Sequence, residues 1–102
     1  MHETDFTRKF IRPYLEKKFK ARVFKIHGGP FSEIGTPDLL CCLTIGEKQG
    51  AFAGFEIKKR TNKPSEIQLS VIRSIQKAGG VGGIVFTDTW KEDIDRILSE
   101  KI

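Results

Sequence analysis

Apolar side chains recur every three or four positions over the first stretch of the chain. Phe6, Phe10, Ile11, Tyr14, Leu15 and Phe19 fall on one face of a helix covering about 3–20. Pro13 lies inside this stretch, lacks a backbone N–H, and predicts a kink or a split at Arg12. Val23-Phe24-Lys25-Ile26 reads as a strand, and positions 27–37, rich in Gly and Pro, as a loop. Two apolar runs follow, Leu39-Leu40-Cys41-Cys42-Leu43 and Ala51-Phe52-Ala53-Gly54-Phe55. Between them Gly46-Glu47-Lys48-Gln49-Gly50 reads as a turn, which predicts a hairpin over 38–58. Ser65 has the character of a helix N-cap. Ile67, Val71, Ile72, Ile75 and Ala78 then share a helical face until Gly79-Gly80 stops it. Ile84-Val85-Phe86 is a short strand reached by a helical crossover, so it is expected to run parallel to a hairpin strand. Trp90 leads into a last helix with Ile94, Ile97 and Leu98 on one face. The order αβββαβα predicts an α/β fold with a mixed central sheet flanked by helices.

The hairpin determines where the polar residues at its open end meet. Asp38 opens the first strand and Glu56-Ile57-Lys58 closes the second, so folding about the turn sets Asp38 level with Glu56 or Lys58, give or take one residue. Facing residues of an antiparallel pair have Cβ atoms about 5 Å apart. Two carboxylates that close repel unless a cation lies between them. Glu56 and Lys58 are two apart and point to the same face. Two hard oxygen donors and an ammonium around one spot suit metal-assisted hydrolysis of a phosphodiester.

Composition narrows the partners. The 102 residues predict a single domain, 1–102, with a modest core. A hydrophobic fraction of 38% and a mean hydropathy of −0.30 fit a folded, water-soluble chain. No apolar run approaches the ~20 residues of a membrane span, and the polar start Met1-His2-Glu3-Thr4-Asp5 does not read as a signal peptide. Eighteen Lys and Arg against 13 Asp and Glu give +5, and they cluster. Eight fall between Arg8 and Lys25, and Lys58, Lys59, Arg60 and Lys63 follow the second hairpin strand. A basic surface beside a metal site points to nucleic acid rather than lipid. The adjacent Cys41 and Cys42 point to opposite faces of a strand and cannot together chelate one ion. With no disulfide framework, the chain is expected in the cytoplasm, that of a host if it is viral.

Gly35-Thr36-Pro37-Asp38-Leu39-Leu40, then Gly54-Phe55-Glu56-Ile57-Lys58, then Ser65-Glu66-Ile67-Gln68 together resemble the VRR-NUC (virus-type replication-repair nuclease) domain of the PD-(D/E)xK nuclease superfamily. The resemblance implies a restriction-endonuclease-like core and a Mg²⁺- or Mn²⁺-dependent deoxyribonuclease. It implies Asp38 and Glu56 as metal ligands, with the Ile57 carbonyl as a third. Lys58 would orient the attacking water or offset charge on the phosphorane. The family's other acidic position lies near the start of the first helix, where Glu3 fits best and Glu16 is the fallback. Gln68 joins the catalytic set. It is also the last residue of a Ser65-x-x-Gln68 capping box, in which its side chain reaches back to the N-cap N–H.

Lys25, His27, Lys59, Arg60 and Lys63 are the candidate DNA contacts. Short stand-alone members of the family resemble viral junction-resolving enzymes, which implies a structure-selective endonuclease that resolves branched, Holliday-junction-type DNA, as in DNA repair. A two-fold junction needs paired cuts, so a homodimer is expected. Trp90 and Phe31, in expected loops, and a last helix carrying Ile94, Ile97, Leu98 and Ile102 are candidate interface residues. A less selective flap or duplex-end nuclease and a non-catalytic DNA-binding module are the alternatives.

Overall fold

The N-terminal helical stretch does not break at Pro13; it widens. In the computed structural model, which describes residues 2–28 and 33–99, helix α1 (Glu3–Phe6) passes through a π-helical turn (Thr7–Ile11) into α2 (Arg12–Phe19). The Arg12 N–H bonds the Thr7 carbonyl five residues back, the mark of a π turn. Pro13 then occupies the first turn of α2, where a missing N–H costs little. The helical stretch continues past the proline without ending at Arg12. Ile11 and Leu15 are fully buried on its inner face.

Strands β1 (Arg22–Lys25), β2 (Leu39–Ile45) and β3 (Lys48–Lys58) form an antiparallel meander. Strand β1 lies one residue earlier than the apolar pattern indicated. The hairpin loop is also shorter, because β3 begins at Lys48 and leaves only Gly46 and Glu47 between the strands. Gly46, at φ 59°, supplies the positive φ that a two-residue loop demands. Register runs Leu39 opposite Phe55, Cys41 opposite Ala53 and Leu43 opposite Ala51, with an irregularity before Ile45. Odd-numbered residues therefore fill the core, as the burial of Leu39, Cys41, Leu43, Ala53, Phe55 and Ile57 shows. Cys42 is exposed on the other face, as strand alternation requires.

Helix α3 (Glu66–Lys77) crosses over to β4 (Val81–Phe86), which pairs parallel to β3 from Ala53–Val81 to Lys58–Phe86. The sheet order is β1-β2-β3-β4, so β3 is central and β4 is an edge. Two backbone groups of that edge are met by helical side chains: Gln76 Nε2 donates to the Gly82 carbonyl at 3.0 Å, and the Asp93 carboxylate accepts from the Phe86 N–H at 2.9 Å. Helix α4 (Trp90–Ser99) closes the chain's core.

The architecture is the αβββαβα order with a mixed four-stranded sheet between helices. Three local expectations are corrected. Trp90 begins α4 and packs edge-on to Phe6 and Tyr14, with centroids 6.4 and 5.2 Å away, so it is not a loop residue on display. Ile94, Ile97 and Leu98 are at most 6% exposed inside the chain's own core and cannot form an interface with another copy. Of the α3 face only Ile72 is buried, and Ile67 is 52% exposed, because α3 covers just part of its side of the sheet. Phe31 and Ile102 lie outside the described residues. No described helix is long and apolar enough to cross a membrane.

Candidate metal centre

The hairpin register, continued one step past Leu39–Phe55, sets Asp38 against Glu56. Pro37, fully buried, packs over Gly54, where a Cβ would lie 3.1 Å from the proline ring, and this fixes the entry of Asp38 into the strand. The Asp38 carbonyl accepts from the Ile26 N–H at 2.8 Å, and its Oδ2 accepts from the Ile57 N–H at 2.9 Å. An extended residue sends its N–H and C=O to the same side, so the Ile57 carbonyl also faces the Asp38 edge. The other Asp38 oxygen has Lys25 Nζ at 3.9 Å.

Glu56 departs from the ordinary polar side of a strand. It is only 4% exposed, because β3 is central and the start of α3 lies over it. Its Oε2 accepts from Gln68 Nε2 at 3.1 Å and has Lys58 Nζ at 3.5 Å. Its Oε1 is buried without a hydrogen-bond partner. Burial first, and then the neighbouring Asp38 carboxylate, push the Glu56 carboxyl up to about 7, while Lys58 draws it back. A buried carboxylate oxygen lacking a donor, facing a second carboxylate, is an arrangement that a divalent cation relieves. The donors are hard oxygens, which fits Mg²⁺ or Mn²⁺. Among the described residues no group of three or more His, Cys, Asp or Glu side chains converges, so side chains alone supply two ligands.

Gln68 does both things its position allows. Ser65 Oγ accepts from the Gln68 N–H at 3.1 Å while Gln68 Oε1 accepts from the Ser65 N–H at 2.9 Å, closing the capping box. The amide nitrogen is thereby aimed at Glu56. One side chain ties the start of α3 to the end of the hairpin.

Glu3 reaches the same end of β3: its Oε2 accepts from the Lys59 N–H at 3.1 Å. Glu16 pairs instead with Arg12 on the exposed side of α2. Arg60 folds back over the Phe86 ring, 4.0 Å from its centroid, and grips Asp88 through two bonds of 3.2 and 2.9 Å, with a third to Thr89. Lys63 is exposed beyond it. His27 lines a cavity with Lys25 on the other flank.

A cleft of about 260 Å³ opens onto Asp38, Glu56 and Gln68 and is walled by Ile26, Glu33 and Gly35, among others. Glu33 was not anticipated; only its nearness to Asp38 along the loop could have suggested it. Gly35 holds this wall in place. Its φ of +88° suits glycine, and a Cβ there would sit 2.5 Å from the Ile67 side chain.

The mixed sheet, the helical crossover and the paired carboxylates at the open end of a central hairpin together define an α/β domain of one recognisable class. A solved structure described as "VRR_NUC domain" is similar to this chain, with a TM-score of 0.60 and 23% identity over 91% of this chain and 94% of that one. The likeness shows that the chain has the VRR-NUC fold. No protein-family model matches the chain, and no curated protein matches it.

Proposed function

We propose that this chain is a single nuclease domain that hydrolyses DNA phosphodiester bonds with Mg²⁺ or Mn²⁺. The observation that carries the reading is Glu56: a buried carboxylate with one unpartnered oxygen, set against Asp38 at the end of the hairpin in a VRR-NUC fold. Asp38, Glu56 and the Ile57 carbonyl would hold the metal. When bound, it would supply Lewis acidity to the scissile phosphate and lower the pKa of the attacking water. Lys58, 18% exposed and held by Glu56, is poised to donate to a phosphate oxygen or to orient that water. Gln68 fixes the Glu56 rotamer, and Glu3 anchors the strand end through Lys59 and is placed to hold water near the site. Lys25 on one flank, and Lys59 and Lys63 on the other, offer positive charge to the strand, with His27 beside Lys25 and the Asp88-paired Arg60 as further polar contacts.

Branched DNA is the substrate class we favour, cut by a homodimer. With the apolar face of α4 buried, another surface is open to the second copy. Phe24 at 49% and Phe52 at 47% exposure share one sheet face with Leu40 and Cys42. A patch related to itself by a two-fold axis is the usual way such a face is covered.

The test is a panel of labelled junction, flap, splayed and linear duplexes incubated with and without Mg²⁺ or Mn²⁺. Metal-dependent cutting by the wild type is expected. Asp38→Asn, Glu56→Gln and Lys58→Ala should each abolish most of it while folding and DNA binding persist. Binding without cleavage in either metal would assign the chain to the non-catalytic alternative, and near-normal cutting by Glu56→Gln would remove the proposed site. Preferential cutting of flaps by a monomer would favour the less selective nuclease.

A further inference from the structure

Beside the carboxylate pair lies a second cavity, of about 230 Å³, between the N-terminal helix and the β1–β2 pair. Arg8, Arg12, Lys25 and His27 line it together with the hydroxyl residues Thr4 and Thr7, and Leu39 forms its apolar floor. Among the described residues no carboxylate lines it. The acids nearest to its cations hold them loosely from outside: Asp5 lies 3.6 Å from Arg8, Glu16 3.4 Å from Arg12 and Asp38 3.9 Å from Lys25. Arg12 is further steadied by the Val23 carbonyl at 3.4 Å.

The π turn contributes to this arrangement. It spans Thr7–Ile11, so it carries Arg8 and leads directly into Arg12, and Thr7 is a polar residue only 5% exposed. Widened turns of this kind are frequently found at functional sites. Two arginines, a lysine, a histidine and two hydroxyl residues around a cavity that no described carboxylate lines make a site for a tetrahedral oxyanion, which arginines and hydroxyls recognise.

The cavity adjoins the metal centre rather than standing apart. Lys25 lines it and reaches Asp38, and Leu39 follows Asp38 in the chain. A nucleic-acid strand presents its next phosphate a few ångströms from the last. We propose that this cavity seats a backbone phosphate of the DNA strand being cut, close along the chain to the scissile one, with Arg8 and Arg12 as its principal ligands. This rests on the nuclease reading for the identity of the strand, but on the cavity alone for the anion.

The experiment measures binding apart from cleavage. Affinity of the full chain for a junction and for a linear duplex is followed against salt in Ca²⁺, with Arg8→Ala/Arg12→Ala beside wild type and Lys77→Ala as a control far from the cavity. One phosphate lost should weaken binding about tenfold or more and flatten the slope of log affinity against log salt by about 0.9. The control should match wild type. Should the double variant fold poorly, Arg12→Lys alone and single methylphosphonate replacements in the DNA give the same information. One replacement near the cut should weaken wild type, and in the Arg12→Lys protein the same replacement should cost measurably less. An unchanged slope with no coupled phosphate position overturns the proposal while leaving the nuclease reading intact. An arginine-dependent slope in a protein that cuts nothing keeps the cavity assignment and removes the catalytic one. Absence of DNA binding by wild type overturns both.

Discussion

Replacing Glu56 with Gln should make the metal-free protein more stable at alkaline pH, even as it removes cleavage. In the folded chain the Glu56 carboxyl is raised from 4.5 to about 7, chiefly by burial and then by Asp38. At about 1.4 kcal/mol per pH unit, keeping it ionised above pH 8 therefore costs about 3 kcal/mol. The sign follows from proton linkage. Between the unfolded and folded values the native state binds the extra proton, so stability falls as pH rises through that window and levels off above it. Gln has no such ionisation and keeps an oxygen for the Gln68 amide, now at 3.1 Å from Glu56. It forfeits the contact with Lys58 at 3.5 Å, which leaves that ammonium less well paired and offsets part of the gain. The expected difference, variant minus wild type, is near zero or negative at pH 5 and rises by about 2 kcal/mol by pH 8. Urea unfolding in EDTA at a series of pH values measures it directly. Adding Mg²⁺ should then raise the wild-type midpoint and leave the variant unmoved. A difference that stays flat from pH 5 to 8 would show that Glu56 is not held against its charge, and the argument for a cation at this spot would go with it.

Gly35→Ala should destabilise the protein by about 1–3 kcal/mol in chemical denaturation, since it combines a φ of +88° with a 2.5 Å approach to Ile67. Ser65→Ala and Gln68→Ala should each cost about 1 kcal/mol through the lost cap, but only Gln68→Ala should also weaken Mg²⁺ binding, read by calorimetry. Thiol labelling of the native protein should modify Cys42 alone, because Cys41 is buried and its thiol is pushed up to about 12; two thiols should react after unfolding.

The order of elements was legible because each strand and helix has its own period, and because Gly46 marks the hairpin loop and Gly79 the end of α3. The hairpin pattern put Asp38 level with Glu56 or Lys58, a choice that only the register decides, and the Ser65–Gln68 capping box followed from spacing alone. What stayed hidden depends on partners distant in sequence. Glu56 in a strand reads as a solvated residue until α3 is placed over it. Arg60 reads as a free cation until Asp88, 28 positions on, takes its guanidinium. Trp90 reads as a loop aromatic until the N-terminal helix brings Phe6 and Tyr14 to its edge. At Pro13 the split did not occur for another reason: a helix can absorb a missing donor by widening the turn before it, and nothing local separates that outcome from a break.

The two side-chain bonds on the outer margin of β4 bear on what happens when many copies are crowded together. An open strand edge acts as a template onto which another molecule's backbone can zip, and a run such as Val81-Gly82-Gly83-Ile84-Val85-Phe86 carries few side-chain deterrents of its own. Here Gln76 and Asp93 occupy the Gly82 carbonyl and the Phe86 N–H, near the two ends of the run. An incoming strand finds no uninterrupted row of donors and acceptors to follow. The opposite margin, β1, offers only four residues. The sheet is thus terminated on both sides, which disfavours its growth into β-rich polymers.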